Sequence, residues 1–581
     1  MKFAMTAIAL VVMLCIAEAA IPGGGKMERP VHSYKNLAGT AWKPLPWCGY
    51  RFVFQPYADN WGPGSGNERV AREAEIQQLL TPVWKDPNFL NIHQVPGLHE
   101  WAWYELDKKW KGSTKRECYE LARDYYLAER DKRINDPHWK RKYPNIEKVP
   151  FVSMTGHGWL VHGPAEWGME WLGIEIGENI DATQLHIAFQ RGAARMFRLP
   201  TFGDVSQWYS GTVPEFIAGV DEFTAVPFDR DEVLRKIGQG GTGIHNGGHS
   251  SSSHARMWYV CWLSGITVVC PEACQATFFA HTVEHRKAHP KTWGHLGGYD
   301  ENTRVELSPY GVRAKKFYAI TQKHPEIGIP YTPIAVLLDK YSGFFGFHAN
   351  TGMPWGILQP TEGDRQAFDF LNAAFPNTMR LGGTPEHERL VASACGDTID
   401  VLVTGVRNDL LRMYPAVIVL GDHEFLPETV ATLEEFLRGG GTLYLTRSHA
   451  AQLGPAFAKL QAAGKVQIYD NSGSAGRTRL LEHLRDTYVP VAVSGKMEYL
   501  VNRTPTGWVV GLVNNEGVTK DFLGPTKIDR TKDQRVSVKI RVGKVRSAAE
   551  WYDDKALRVN DNAVTLDVPA GEVRIVELLS E

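Results

Sequence analysis

Two apolar runs in the sequence each lead into a carboxylate. The run 171–176 (WLGIEI) is followed by Gly177, Glu178 and Asn179, and the run 265–270 (GITVVC) by Pro271 and Glu272. Carboxylates at two separate strand ends are the minimum equipment for breaking a glycosidic bond. One protonates the leaving oxygen while the other attacks the anomeric carbon or activates water. The same pattern also serves metal binding, a dehydratase base or plain salt bridges. Glu175 and Glu178 are three residues apart, so on a continuing strand they face opposite sides. A loop beginning at Gly177 frees Glu178 to turn inward. Glu178 is therefore read as the acid/base and Glu272 as its partner, with Glu175 in reserve.

Other polar residues follow further apolar runs. Asp59 and Trp61, His93, His157, Asp204 and Trp208, and His245, Asn246 and His249 read as a ring that binds hydroxyls over aromatic platforms, with Asn179 beside the acid. Ordinary loop polarity accounts for any one of them equally well. His245, His249 and His254 have spacings that would bind zinc on a helix, but Gly247, Gly248 and Ser250 to Ser253 read as loop, so no metal is assigned. No phosphate-binding glycine motif follows a strand, and no cofactor is assigned.

These residues need a scaffold that brings strand ends together. Apolar runs predict strands at 50–55, 89–93, 149–154, 171–176, 198–202, 242–245, 265–270 and 304–307. Amphipathic stretches at 67–80, 116–130, 183–196, 229–237, 252–263 and 309–323 separate most of them. Strands alternating with helices fit a (β/α)8 TIM barrel, whose chemistry lies at the carboxyl ends of its strands. From about 329 to 488 the texture changes to continuous apolar strands, 334–339 and 416–421, and a helix at 427–438 closed by Gly439 to Gly441. That predicts an open, parallel α/β sheet. Cys395 within it has no evident His and Glu partners and is read as structural. From 489 to 581, short alternating strands at 507–514, 536–542 and 573–578 predict a small β-sandwich.

Composition narrows the function classes. With 64 Lys and Arg against 65 Asp and Glu, the formal charge is -1, too balanced for a field that would hold nucleic acid. Eighteen Trp offer flat faces that suit the C–H faces of sugar rings, though core packing uses the same residues. Lys2, an apolar run from Ala4 to Ile16 and the small-residue site Ala17-Glu18-Ala19 read as a signal peptide over 1–19. The run is too short to span a bilayer, and no later stretch is long and apolar enough. The expectation is an exported protein, periplasmic or extracellular.

The order of barrel, glutamine-amidotransferase-like α/β domain and β-sandwich resembles the architecture of family 42 beta-galactosidases and their clan-A-type relatives among glycoside hydrolases. The segments 331–339 (YTPIAVLLD) and 415–421 (PAVIVLG) share in the resemblance. It implies an acid/base at the end of strand four and a nucleophile at the end of strand seven, where Glu178 and Glu272 fall. It further implies a carbohydrate substrate, a retaining mechanism and a homo-oligomer contact through the middle domain. In that clan an Asn precedes the acid/base, whereas here Asn179 follows it. Two other readings stand beside a poly- or oligosaccharide hydrolase: a metal-dependent barrel lyase or isomerase, and a non-catalytic carbohydrate-binding protein. For export, N-terminal sequencing of the protein secreted by its host is expected to find a first residue between Ala19 and Ile21; retained Met1 would contradict it.

Overall fold

The computed structural model describes residues 53–54, 97–98, 112–142, 152–155, 161–176, 183–205, 250–271, 279–281, 305–307, 309–343, 353–376, 393–471, 473–520 and 526–581. The chain forms a mixed α/β structure. Its first sheet has six parallel strands: β1 (Val53–Phe54), β2 (Gly97–Leu98), β3 (Val152–Thr155), β4 (Trp171–Ile176), β5 (Thr201–Val205) and β6 (Val268–Pro271). They lie in the order β1-β6-β5-β4-β3-β2. Read from β2, each strand lies beside its predecessor, and the first strand lies beside the last.

Both faces of the sheet are buried at β4, β5 and β6, as a parallel sheet requires. Leu172, Ile174, Ile176, Val205 and Val269 share one core with Leu185, Phe189 and Ala193 of the helix Thr183–Phe197 and with Met257 and Trp258 of Ser251–Leu263. Trp171, Phe202 and Val268 hold the opposite parity and are buried apart from that core. The sheet thus has a helix-covered face and a second, inward face.

Several expected strands are corrected. The strand read at 198–202 begins at Thr201, because the preceding helix runs to Phe197 and Arg198 takes a left-handed φ of 59° that ends it. Asp204 therefore lies within a strand and not after it. β6 pairs directly with β5. The eighth strand, Val305–Leu307, pairs antiparallel with Phe279–His281 in a separate two-stranded sheet. A strand so reversed cannot extend a parallel βα series. The strands read at 89–93 and 242–245 lie outside the described residues. Ser251 to Ser253, read as loop, are the first turn of a helix whose N-cap Ser250 accepts from the Ser253 N–H at 3.0 Å.

The middle sheet is parallel, with Ile399–Val403 and Ala416–Val419 flanking Ile334–Leu338, followed by Thr442–Leu445 and Lys465–Ile468. Two antiparallel sheets follow. Gln534–Ile540 and Ala563–Val568 in one face Glu498–Thr504, Gly507–Val513 and Val573–Ser580 in the other across a core that includes Val536, Val538, Trp508 and Leu512. Gly507–Val513 is buried along its whole length, because Val509 and Val513 on its other face join the main core. There Trp262 meets Trp551 at 6.5 Å, and Tyr259 meets Tyr552 at 6.1 Å. These aromatics join helix to sheet and are not sugar platforms.

The helix Thr183–Phe197 joins the first sheet to the middle sheet. On one side Gln190 donates to the carbonyls of Leu172 and Phe202, both at 2.8 Å. On the other, Gly192 lies so close to Val401 that an added Cβ would sit 1.8 Å from the carbonyl oxygen. Arg191 forks onto Asp397 at 2.7 and 3.0 Å and reaches Asp400 at 2.6 Å. Arg195 reaches the other oxygen of Asp400, also at 2.6 Å. All four side chains are at most 8% exposed. Burial would raise the Asp400 carboxyl, but Arg195 and Arg191 hold it below the usual range. Removing one partner strands the others' charge, so Arg191→Met is expected to cost about 3–5 kcal/mol, read as an earlier denaturant midpoint. Arg535→Gln, which breaks an exposed pair with Asp567, is expected to cost under about 0.5 kcal/mol; equal losses would show that the buried cluster holds nothing together.

Candidate functional site

The carboxyl edge of the first sheet is built by β4, β5 and β6. Pairing places Glu175 beside Asp204 and Asp204 beside Cys270, then Ile176 beside Val205 and Val205 beside Pro271. Neighbouring strands lie about 4.8 Å apart and in-register positions share a face. Positions 175 and 204 share the parity of Trp171 and Phe202, which is the inward face. Asp204 is 1% exposed. A carboxylate so buried, near the strand end and opposite the helix layer, is costly to keep unless it meets polar groups. Two acidic positions therefore meet at one end of one face.

Of the residues singled out in the sequence, the structure places these two together. Glu178, Glu272, Asn179, Asp59, Trp61, His93, His157, Trp208, His245, Asn246 and His249 lie outside the described residues. His254, the third histidine of the zinc-like spacing, is a buried helix residue set edge-on to Tyr310 at 5.2 Å. Arg256 sends its guanidinium to Asn515 in the C-terminal part of the chain, at 2.7 Å. Cys395 is buried, with its thiol on the Leu481 carbonyl at 3.4 Å, and burial pushes its pKa up to about 12. A thiol held protonated in that way suits a structural role.

A second polar cluster, to which no function was assigned from sequence, sits at the carboxyl edge of the middle sheet. Lys115 joins Asp364 at 2.5 Å and Asp422 at 3.1 Å. Thr361 caps the helix Glu362–Ala374 and donates to Asp422 at 2.5 Å. Burial works to raise the Asp422 carboxyl, and the Thr361 hydroxyl and Lys115 hold it below its usual range. Gly363 permits that approach, since a Cβ there would lie 2.1 Å from an Asp422 oxygen. Burial lowers His423 to about 3 and lowers His449 as well, so both rings are neutral. The available signal was the pair Gly421-Asp422 at the end of a continuous apolar strand, where open α/β sheets bind ligands.

No family model matches the chain, and no curated protein matches it. Among solved structures it is similar to members of the group that the sequence resembles. These include a GH42 exo-carrageenase from Bacteroides ovatus (10% identity, 80% of this chain, TM-score 0.41). The chain spans 55% of that protein's length. A beta-galactosidase from Bacillus circulans sp. alkalophilus has 12% identity over 81% of this chain and 69% of its own, with a TM-score of 0.43. The GH42 beta-galactosidase Gan42B from G. stearothermophilus has 11% identity over 91% of this chain and 78% of its own, also at 0.43.

Asp204 gives the edge a direct test. Asp204→Asn keeps the shape and removes the acidic group, and is expected to lower kcat/KM for any reaction carried out at this edge by about tenfold to a hundredfold, or ~1.4–2.7 kcal/mol. Circular dichroism and the thermal midpoint check that folding persists. Full activity would remove Asp204 from the site.

Proposed function

We propose that the protein is an exported glycoside hydrolase acting on a poly- or oligosaccharide with a pair of glutamates. The observation that carries this reading is the meeting of acidic positions at the carboxyl edge of adjacent parallel strands, Glu175 in register with Asp204. Glu178 follows the end of β4 by two residues, and Glu272 follows the end of β6 directly. One strand separates β4 from β6, so their ends lie about 9–10 Å apart across the sheet. Side chains reaching inward from both would span the separations that glycosidic hydrolysis uses.

In this account Glu178 protonates the glycosidic oxygen and Glu272 attacks the anomeric carbon, giving a covalent intermediate and retained configuration. Water then hydrolyses that intermediate, with Glu178 as base. Asp204, Asn179 and the polar residues of neighbouring loops hold the sugar hydroxyls. The strand order, with first beside last, is the cyclic order of a closing barrel, and supports a barrel-type catalytic domain ending near 328. The amidotransferase-like α/β domain then runs to about 488 and the β-sandwich to 581, with homo-oligomer contacts through the middle domain. Likeness to proteins named as beta-galactosidases makes galactosides the first substrates to try. Among the described residues no helix is long and apolar enough to cross a membrane.

The test is product analysis on a polysaccharide and aryl-glycoside panel. Glu272→Gln is expected to lower turnover by about a thousandfold or more, ~4 kcal/mol. Glu178→Gln is expected to spare kcat/KM on aryl glycosides with good leaving groups, which need little protonation, while kcat falls because the same residue is the base of the second step. Turnover that survives Glu272→Gln would sink the pair, and Glu175 would be the next residue to replace.

A further inference from the structure

We infer that the carboxyl edge of the middle sheet holds a second ligand site, one that takes a neutral, hydroxyl-rich molecule about the size of one sugar ring. A cavity of about 310 Å³ opens there. Its floor is formed where three parallel strands end, at Leu420 and Gly421, at Thr446 and at Tyr469, and its side by the first turn of Glu362–Ala374. Strand order reverses beside it, because Ile334–Leu338 lies between its successor and the strand after that. Ligands of open α/β sheets bind at such points, and the volume lies within the range of small-molecule sites.

A buried acceptor indicates what enters. Asn471 lines the cavity and is 4% exposed. Its Nδ2 donates to the Gln366 carbonyl at 2.9 Å, which fixes which end of the amide is which. Its Oδ1 has no hydrogen-bond partner among the described residues. A buried acceptor left without a donor is costly, and a ligand hydroxyl supplies one.

The remaining walls select against other ligands. Among the described residues no Lys or Arg lines the cavity, and Asp422 and Glu362 do, so an anion is disfavoured. Those two carboxylates already hold Lys115 and Arg365, so neither calls for a free cation. His449 spends one ring nitrogen on the Gly421 carbonyl at 2.7 Å and the other on the Thr446 N–H at 3.3 Å. It is a neutral wall and not a base. Tyr469 ties its hydroxyl to the Val419 carbonyl at 3.1 Å, which leaves its ring as a flat surface. Exposed Ser448 and Gln452 at the rim offer further hydroxyl and amide groups. An unpartnered acceptor, rim amides and an aromatic wall without free charge fit a sugar ring or comparable polyol.

The site stands on this cavity alone and does not require the chain to hydrolyse anything. The experiment is isothermal titration and ligand-detected NMR on the full chain, with methyl β-galactoside, methyl α-glucoside and inorganic phosphate as probes. Each is run on the unaltered protein and on Glu272→Gln, Asn471→Leu and Ser448→Trp. At least one methyl glycoside is expected to bind saturably, to bind unchanged in Glu272→Gln, to weaken at least tenfold in Asn471→Leu and to be lost in Ser448→Trp. Ser448 is exposed, so Ser448→Trp fills the mouth without disturbing the core, and its catalytic turnover is expected to match the unaltered chain. Glycoside binding that neither pocket substitution weakens, no glycoside binding at all, or phosphate binding that Ser448→Trp abolishes would each overturn the assignment.

Discussion

The buried cluster of Arg191, Arg195, Asp397 and Asp400 is the constraint on which the rest of the arrangement depends. Two positive and two negative groups cancel one another in a place where water does not. Charges so buried are stable only when every partner is present and oriented. Ser264 donates to an Asp397 oxygen that Arg191 also holds, at 2.7 Å, and Thr332 and Tyr414 donate to the Asp400 oxygen that Arg195 holds, at 2.8 and 2.7 Å. Such a cluster specifies one relative placement of the parts it joins, because any slip would leave a charge without its counterion. Arg195 also donates to the carbonyl of Pro330, whose strand pairs with Glu498–Thr504. One short helix thereby fixes the first sheet, the middle sheet and the C-terminal sheets to one another.

That helix also follows β4, so the element that locks the parts together begins just beyond the loop expected to carry the acid. Its Gln190 holds the carbonyls of Leu172 and Phe202, on the strands that carry Glu175 and Asp204. Position along β4 and β5 is thus set from the helix side, while the acidic positions occupy the opposite face. The helix Ser251–Leu263 does the same for β6: Ser252 donates to the Gly571 carbonyl, and Arg313 of the neighbouring helix pairs with Glu572 at 3.0 Å. The edge where chemistry is proposed is held from behind by contacts to both later parts of the chain.

Much of this was legible in the sequence, for physical reasons that differ by region. Continuous apolar strands such as 334–338 and 416–419 read clearly, because burial on both faces leaves no alternation to misjudge. The helix Pro427–Arg438 carried its own punctuation, with Pro at its start and glycines after it. β5 was misplaced by three residues, because Arg198 ends the helix in a left-handed conformation that a sequence pattern does not announce for arginine. The antiparallel pairing of Val305–Leu307 was invisible, since a three-residue apolar run has no direction. The segment Phe189 to Arg195 carries two arginines and a glycine on one helix. Its Arg-Gly-x-x-Arg pattern is the footprint of a helix pressed against a second sheet, which only a partner strand can reveal. Asp204 was expected after its strand and lies inside it, and its register with Glu175 required the pairing.

The proposed function makes Glu272, next to the end of β6, the nucleophile of a retaining hydrolase. The most direct measurement is mass-spectrometric mapping of the adduct left by a 2-deoxy-2-fluoro glycoside of whichever sugar the protein cleaves. The account predicts one sugar per chain, attached to Glu272. A label on Glu175 or another residue, or steady cleavage with inverted configuration and no adduct, would contradict it.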